Sequence, residues 1–189
     1  MATPPTADTH GGRSVSPAIV LPADALVLLI GIAASGKSTF AARHFAPTEV
    51  LSSDAFRALI ADNPSAQGAT DDAFDLLHQL LEMRMRRGRL TVVDATNVED
   101  WARAELIKVG KRHRRPVVAI VLDVPIEVAV ERNAKRPSPR PPPSALRRQQ
   151  RWLADSLPAL AHEGFDAVHV LGSVDEVDAA RVQRAARAG

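Results

Sequence analysis

Residues 31–38 form a stretch whose residue types and spacing specify a chemistry. The segment Gly31-Ile-Ala-Ala-Ser-Gly36-Lys37-Ser38 satisfies the pattern G-x-x-x-x-G-K-[ST] in full. In that pattern backbone N–H groups surround phosphate oxygens, the lysine reaches the β- and γ-phosphates, and the serine hydroxyl ligates Mg²⁺. The alternative is a glycine turn with an incidental lysine. We predict that ATP or another nucleoside triphosphate binds here with Mg²⁺, held by Gly31, Ala34, Ser35, Gly36, Lys37, Ser38 and Thr39.

A carboxylate and an arginine follow the next apolar run of the chain. Asp54 comes after Val50-Leu51 and before a short predicted helix, and Arg57 lies three residues further on, on the same helical face. Ligands of open α/β sheets bind beyond the carboxyl ends of the strands, which places Asp54 in the layer of the phosphate loop. Such a pair can hold a hydroxyl and a neighbouring phosphate together. The alternative, an N-cap aspartate with a solvated arginine, stays open on the residues alone.

A second carboxylate closes the apolar run 90–93. Asp94 occupies the position at which a strand-end aspartate orients the waters of Mg²⁺ in phosphoryl-transfer sites. Thr96 and Asn97 follow it into the same crevice, and we predict that they contact the substrate. The alternative is that Asp94 caps a helix that begins near Val98.

Arginine is concentrated late in the chain. Twenty of the 24 basic residues are arginine, and the net charge is only +2. The segment 132–151 holds seven basic residues and no acid, and we predict that it forms a lid over the nucleotide. Arginines in a lid can neutralise charge on the transferring phosphoryl group. The seven basic residues are Arg132, Lys135, Arg136, Arg140, Arg147, Arg148 and Arg151. The alternative is a solvated helix face, which is favoured for the last three of them.

The elements that must position these residues are predicted by the spacing of apolar residues. Continuous apolar runs indicate buried strands, and runs with a three-to-four-residue period indicate helices. Their alternation predicts an α/β fold with a central parallel sheet. A disordered tail is expected over 1–16 and one domain over 17–189. The predicted strands cover 26–30, 50–51, 90–93, 117–122 and 167–171, with a short edge strand at 19–21. The predicted helices cover 38–46, 55–61, 73–88, 99–113, 126–134, 144–163 and 174–187.

Several classes of function are disfavoured by composition. The chain has no cysteine, its six histidines show no metal-ligand spacing, and we predict no structural metal. No apolar run approaches ~18 residues, and the N-terminus lacks the apolar core of a signal peptide, so we expect a cytoplasmic protein without a membrane partner. The guanine-reading pattern Asn-Lys-x-Asp is absent, which argues against a GTPase switch.

Four segments together resemble the kinase module of bacterial polynucleotide kinase–phosphatase, an RNA-repair enzyme. The resemblance covers about residues 24–172, and its motifs recur in the same order at similar spacing. The segments are residues 31–40; residues 48–54 with Arg57; residues 73–97; and residues 116–122 with Glu131-Arg132-Asn133.

This resemblance implies a P-loop kinase-like three-layer fold with an arginine-rich lid, and transfer of the ATP γ-phosphate to the 5′-hydroxyl end of RNA or DNA. It implies that Asp54 is the general base and that Arg57 holds the phosphate beside the terminal nucleotide. Lys37 and Ser38 would serve ATP and Mg²⁺, and Arg132 and Arg136 would be the lid arginines.

The chain departs from that family at two places. Alanine stands at position 34, where the family usually has glycine. Residues 138–143, Ser-Pro-Arg-Pro-Pro-Pro, replace the acidic and Phe-Gly residues usual after Arg136. Either Arg136 or Arg140 could therefore complete the lid.

Two other functions stay open on the sequence. One is a small-molecule P-loop kinase acting on a nucleoside, nucleotide or sugar. The other is a nucleic-acid-binding ATPase that transfers nothing. The sequence also leaves the oligomeric state undecided, a homodimer included.

Overall fold

The structure of the protein is a computed structural model that describes residues 18–137 and 140–185. The tail predicted over residues 1–16 lies outside the described part. The strands are β1 (Ile19–Leu21), β2 (Leu26–Ile30), β3 (Val50–Ser52), β4 (Thr91–Asp94), β5 (Val117–Leu122), β6 (Ala167–Leu171) and β7 (Val182–Arg184). The helices are α1 (Lys37–His44), α2 (Ser53–Ala61), α3 (Thr70–Arg86), α4 (Asp100–Arg112), α5 (Ile126–Ala134), α6 (Pro143–Ser156) and α7 (Val174–Ala179), with 3₁₀ turns at Pro47–Glu49, Gln67–Ala69 and Leu157–His162.

Five parallel strands form the central sheet, in the order β3-β4-β2-β5-β6. The middle strand β2 is buried along its whole length because it has a neighbour on each side and helices above and below. Its side chains alternate between two apolar clusters: Leu26, Leu28 and Ile30 face one layer, and Val27 and Leu29 face the other. The predicted three-layer α/β fold is confirmed.

The two layers contain different helices. The first cluster packs side chains of α2, α3, α4 and α6 against the sheet, including Phe56 and Leu106. The second cluster packs α1, α7 and the β1–β7 pair, including Phe40 and Val177. The phosphate loop lies at the end of the central strand, so both layers border it.

The C-terminal helix is shorter than predicted. The apolar spacing predicts a helix over 174–187, but α7 ends at Ala179 because the buried Ala180 departs from helical backbone angles, with ψ at 140°. The chain then forms β7, which pairs in parallel with β1 in a separate two-stranded sheet. The predicted edge strand 19–21 exists because this distant segment satisfies its hydrogen bonds: the Ile19 N–H donates to the Arg181 carbonyl at 2.8 Å.

A proline accounts for the second difference. The expected helix over 144–163 ends at Ser156 and continues as a 3₁₀ turn over Leu157–His162. Pro158 has no N–H to donate to the preceding turn, so the α-helical hydrogen-bond pattern cannot continue through it. Within the described residues, no helix is long and apolar enough to span a bilayer.

Gly110 provides a test of how closely α4 packs on the sheet. A Cβ at this position would lie 2.5 Å from Val117 Cγ2 and 3.3 Å from Leu26 Cδ2. We expect Gly110→Ala to lower the free energy of unfolding by about 1–3 kcal/mol, as overpacking does, although alanine favours helices. Urea denaturation measures this.

Gly68→Ala is the matched control, because a Cβ there would meet nothing within 4 Å. A Gly110→Ala protein at least as stable as the wild type would contradict the packing described for α4.

Candidate active site

The phosphate loop connects the end of β2 to the start of α1, as its motif requires. A Cβ at Gly31 would lie 2.8 Å from both the Leu122 carbonyl oxygen and Ser35 Oγ, so the turn has room only for glycine. The Gly31 N–H donates to the Thr96 carbonyl at 3.0 Å. Ala34 adopts a left-handed φ of 64°, a conformation that glycine favours. Alanine can adopt it at a cost of roughly 1–2 kcal/mol.

Lys37 is folded back onto its own loop. Its ammonium donates to the carbonyls of Gly31 at 2.9 Å and Ile32 at 2.7 Å, and the side chain is buried. Burial lowers the pKa of Lys37 to about 8; the charge of Asp94 opposes this shift, that of Arg136 adds to it, and that of Asp54 opposes it. Asp54, Asp94 and Arg136 are thus all close enough to the loop for their charges to act on Lys37.

Asp94 and Ser38 provide oxygen ligands of the type Mg²⁺ prefers. Burial raises the pKa of Asp94, whereas a hydrogen bond from the Ser38 hydroxyl and the charge of Lys37 lower it. The N-cap alternative for Asp94 is wrong, because α4 begins at Asp100 and Glu99 is its N-cap.

These two residues fit a magnesium ion that is shared with a nucleotide. Among the described residues, no group of three or more histidine, aspartate and glutamate side chains is arranged to hold a metal. A Mg²⁺ bound by Asp94 and Ser38 would therefore take its remaining ligands from phosphate and water, which is its usual coordination in kinase sites.

Asp54 and Arg57 contact each other in the first two turns of α2. The Arg57 guanidinium donates one hydrogen bond to the Asp54 carboxylate and another, from Nε, to the Pro64 carbonyl at 2.9 Å. Arg57 is 12% exposed and Asp54 is 61% exposed. The N-cap alternative for Asp54 is wrong as well, because Ser52 caps the helix by accepting from Ala55. The carboxylate is thus fixed in direction yet open to solvent.

The lid arginines differ in how they approach the loop. Arg132, near the end of α5, donates from Nη1 to the Ser35 carbonyl at 3.2 Å. Arg136 is exposed, and its charge acts on Lys37. Arg140 donates to the Arg136 carbonyl at 3.0 Å, so it supports the backbone at Arg136. The remaining predicted lid arginines, Arg147, Arg148 and Arg151, lie exposed on α6.

A cleft of about 390 Å³ opens beside the loop, between α1, the lid and α7. This cleft is lined by five of the residues predicted to hold the nucleotide: Ala34, Gly36, Thr39, Arg132 and Arg136. It is also lined by four residues that no motif predicts: Phe40, Arg43, Val177 and Asp178. Arg43 and Asp178 form an ion pair of 3.2 Å across 135 residues of chain, and no local pattern links them.

Gln149 is a further residue that motif spacing did not single out. Its Oε1 accepts a hydrogen bond of 2.8 Å from the Ala33 N–H and thereby ties α6 to the phosphate loop. The loop is therefore held by Arg132 from α5 and by Gln149 from α6.

The side chain of Asn97 is directed into the protein. It was expected to contact substrate, but its side-chain amide is buried and donates to the Leu29 carbonyl at 2.8 Å, with φ at 49°. The side chain braces the sheet, which argues against a direct substrate contact. Thr96 contributes its carbonyl to Gly31.

Arg103 holds Asn97 in place. It is fully buried, donates from Nη1 to the Asn97 carbonyl at 2.9 Å, and makes two hydrogen bonds to Glu163, at 2.6 and 2.5 Å. The sequence carried a weak signal for it, since Arg103 lies at helical spacing from the buried Leu106, Ile107 and Gly110. An arginine on an apolar helix face needs a buried partner, but the pattern does not say which.

The sequence model of the AAA domain family matches residues 26–156. The chain belongs to this AAA domain family. The matched range contains the phosphate loop, both strand-end carboxylates and the lid. A comparison with curated protein sequences finds no match.

Solved structures show the same fold at low sequence identity. A chain of the Pnkp1/Rnl/Hen1 RNA repair complex matches with a TM-score of 0.63 and 22% identity, over 79% of this chain and 49% of that one. The AAA domain chain thus spans about half the length of that relative. A gluconokinase from Sinorhizobium meliloti 1021 matches with a TM-score of 0.52 and 17% identity, over 84% and 90% of the two chains. The APS kinase CysC of Mycobacterium tuberculosis matches with a TM-score of 0.50 and 19% identity, over 84% and 95%.

Family and fold together show that this AAA domain has a P-loop kinase-like fold. That fold implies nucleotide binding and usually Mg²⁺, for which the loop and the Ser38–Asp94 pair offer ligands. The acceptor differs among the similar structures, so fold alone does not specify it.

The lowered pKa of Lys37 predicts how nucleotide affinity depends on pH. Only the ammonium form attracts phosphate, and in the free protein that form is lost as the pH rises through about 8. We expect the affinity for Mg²⁺ and adenylyl imidodiphosphate to fall above pH 8, by up to about tenfold per pH unit. Calorimetric titration between pH 7 and 9.5 measures this.

Lys37→Arg is the control, because arginine keeps its charge over this range. Parallel pH profiles for the wild type and Lys37→Arg would show that Lys37 does not cause the dependence.

The buried pair of Arg103 and Glu163 predicts a second measurable effect. We expect Arg103→Met to destabilise the fold by about 3–5 kcal/mol, because it leaves a largely buried carboxylate without its partner. The double variant with Glu163→Leu should lose less than the sum of the single variants. Thermal and urea unfolding measure both.

Lys108→Met is the matched control on the same helix, since Lys108 and Glu105 form an exposed pair that solvent screens. Equal losses for Arg103→Met and Lys108→Met would contradict the role assigned to the buried pair.

Proposed function

We propose that this AAA domain protein is a polynucleotide 5′-hydroxyl kinase, which transfers the γ-phosphate of ATP or another nucleoside triphosphate to the 5′-OH end of RNA or DNA. The observation that carries the proposal is the hydrogen-bonded pair of Asp54 and Arg57 beside the phosphate loop. The 5′ end of a nucleic acid presents a hydroxyl and, one linkage away, a phosphate. A fixed carboxylate next to a guanidinium matches both groups.

The two sides of the loop have chemically different surroundings. The cleft lined by Thr39, Arg43 and Asp178 lies toward α1 and α7, and it suits the nucleoside of the donor. Asp54 lies on α2, whose Phe56 packs in the opposite layer. In-line phosphoryl transfer needs the attacking and leaving oxygens on opposite sides of the phosphorus, and these two layers allow that approach.

The side chains then have distinct tasks in the proposed reaction. Asp54 accepts the proton of the 5′-hydroxyl while the hydroxyl oxygen bonds to the γ-phosphorus. The bond between the γ-phosphorus and the β–γ bridging oxygen breaks, and ADP leaves. Lys37, Arg132 and Arg136 stabilise the charge on the phosphoryl oxygens. Mg²⁺ bound by Ser38 and Asp94 would neutralise charge on the β- and γ-phosphates.

Similarity supports the proposal without deciding the acceptor. The RNA repair complex chain shares the fold with this protein, and a role in nucleic-acid repair is part of what we propose.

One observation favours a second candidate, a small-molecule kinase. The chain covers 90% and 95% of the gluconokinase and the APS kinase, compared with 49% of the RNA repair chain. Arg57 separates a polynucleotide from an unphosphorylated sugar or nucleoside, which has no phosphate for it to contact, whereas a nucleotide acceptor such as APS must be distinguished by direct assay.

Transfer of label from [γ-³²P]ATP tests the proposal. We expect label on a 5′-OH oligonucleotide and none on free nucleosides, gluconate or APS. Asp54→Asn should lower kcat by about 10²- to 10⁴-fold with little change in ATP affinity, because a general base is lost. Arg57→Ala should raise KM for oligonucleotides.

Asp62→Asn is the matched control, since Asp62 lies at the exposed C-terminal end of the same helix. Label found only on a nucleoside, sugar or APS would refute the polynucleotide assignment and favour the second candidate.

A further inference from the structure

We propose that Trp101 and the cavity beside it form a nucleobase subsite for the acceptor strand, beyond the terminal nucleotide. This inference rests on the proposed function. The cavity measures about 290 Å³ and is lined by Asp100, Trp101, Ala104 and Glu163. Trp101 is 65% exposed, whereas tryptophan side chains are on average highly buried.

The second tryptophan of the chain shows the contrast. Trp152 is 38% exposed, and the Arg148 guanidinium lies over its ring at 5.3 Å from the centroid. Among the described residues, no aromatic ring or guanidinium covers Trp101 in this way. One ring is thus covered by the protein itself, and the other is free to stack on a ligand.

Trp101 lies within reach of the phosphate loop. The Thr96 carbonyl accepts from the Gly31 N–H at 3.0 Å, and Trp101 follows Thr96 by five positions along the chain. Their Cα atoms are therefore at most about 17 Å apart. A short oligonucleotide is long enough to span that distance.

The cavity also lies on the acceptor side of the sheet. Leu106 of α4 packs in the same apolar cluster as Phe56 of α2, the helix that carries Asp54. The donor cleft is lined from the opposite layer by Phe40 and Val177. A nucleic acid that enters with its 5′-end at Asp54 can continue along this face of the β-sheet without crossing the bound donor.

Charge indicates that the subsite takes a base and not a phosphate. The Asp100 carboxylate repels phosphate, while Glu163 is neutralised by Arg103, and the oxygens of both residues have lone pairs that can accept from the exocyclic amines of adenine, cytosine and guanine. Glu163 is held rigidly by Arg103, at 2.5 and 2.6 Å. Stacking on an indole tolerates any base, so the carboxylates would add a preference for bases with an amino group over uracil and thymine.

Fluorescence of a single-tryptophan protein gives the first test. The chain has two tryptophans and no tyrosine, so Trp152→Phe leaves Trp101 as the reporter. We expect 5′-OH oligo(A) of four nucleotides to quench its emission, and a nucleoside 3′-monophosphate to leave it unchanged. In the matched Trp101→Phe protein, the same oligonucleotide should have little effect. Quenching confined to Trp101→Phe, or absent from both proteins, would overturn the proposal.

Kinetics with acceptors of increasing length give the second test. We expect Trp101→Ala to raise KM for the tetranucleotide by roughly five- to a hundredfold, the range of one base-stacking contact, with kcat unchanged. KM for the nucleoside 3′-monophosphate should not change, and Trp101→Phe should retain most of the wild-type affinity. Oligo(A) should bind more tightly than oligo(U).

The outcomes separate this inference from the proposed function. If oligonucleotides are phosphorylated and Trp101→Ala has the wild-type dependence on length, the subsite is wrong and the kinase assignment stands. If no oligonucleotide accepts phosphate in the wild type, the assignment itself fails, and the subsite with it.

Discussion

The turn at Gly31 determines the geometry on which the remaining functional groups depend. It is bounded on one side by the Leu122 carbonyl and hydrogen-bonded on the other to the Thr96 carbonyl. These contacts come from β5 and from the loop after β4, the two neighbours of β2. The sheet order therefore clamps the phosphate loop at its first residue. The helix that follows begins at Lys37, with its free N–H groups directed at the site of the phosphates.

Lys37 and Asp94 lie buried near this turn, and their opposite charges compensate each other only in part. Lys37 is buried against loop carbonyls, and its lowered pKa measures the cost of burying the ammonium. Asp94 is buried nearby with a raised pKa, for the corresponding reason. Triphosphate and Mg²⁺ would supply the opposite charges at both places. The free site is thus strained electrostatically in the direction that favours binding its ligands.

The parts of this arrangement that the sequence predicted are the local ones. The phosphate loop, the five apolar strands and the position of Asp54 depend on neighbouring residues, and all were predicted at nearly the observed places. The strand β7 was missed because its partner β1 is 163 residues away in register, at Ile19 opposite Val182. Pairs such as Arg43 with Asp178 and Arg103 with Glu163 were missed for the same reason. Asn97 was placed correctly along the chain, but the direction of its side chain depends on the Leu29 carbonyl, which spacing does not predict.

In the proposed reaction, donor and acceptor meet at the loop from opposite layers of the sheet. A crystal structure with Mg²⁺, adenylyl imidodiphosphate and a 5′-OH dinucleotide would show where each binds. We expect the donor base in the cleft between Thr39 and Asp178, and the acceptor 5′-oxygen within about 3 Å of the Asp54 carboxylate, on the far side of the γ-phosphate. A dinucleotide bound on the donor side, or one that leaves Asp54 and Arg57 without a ligand contact, would contradict it.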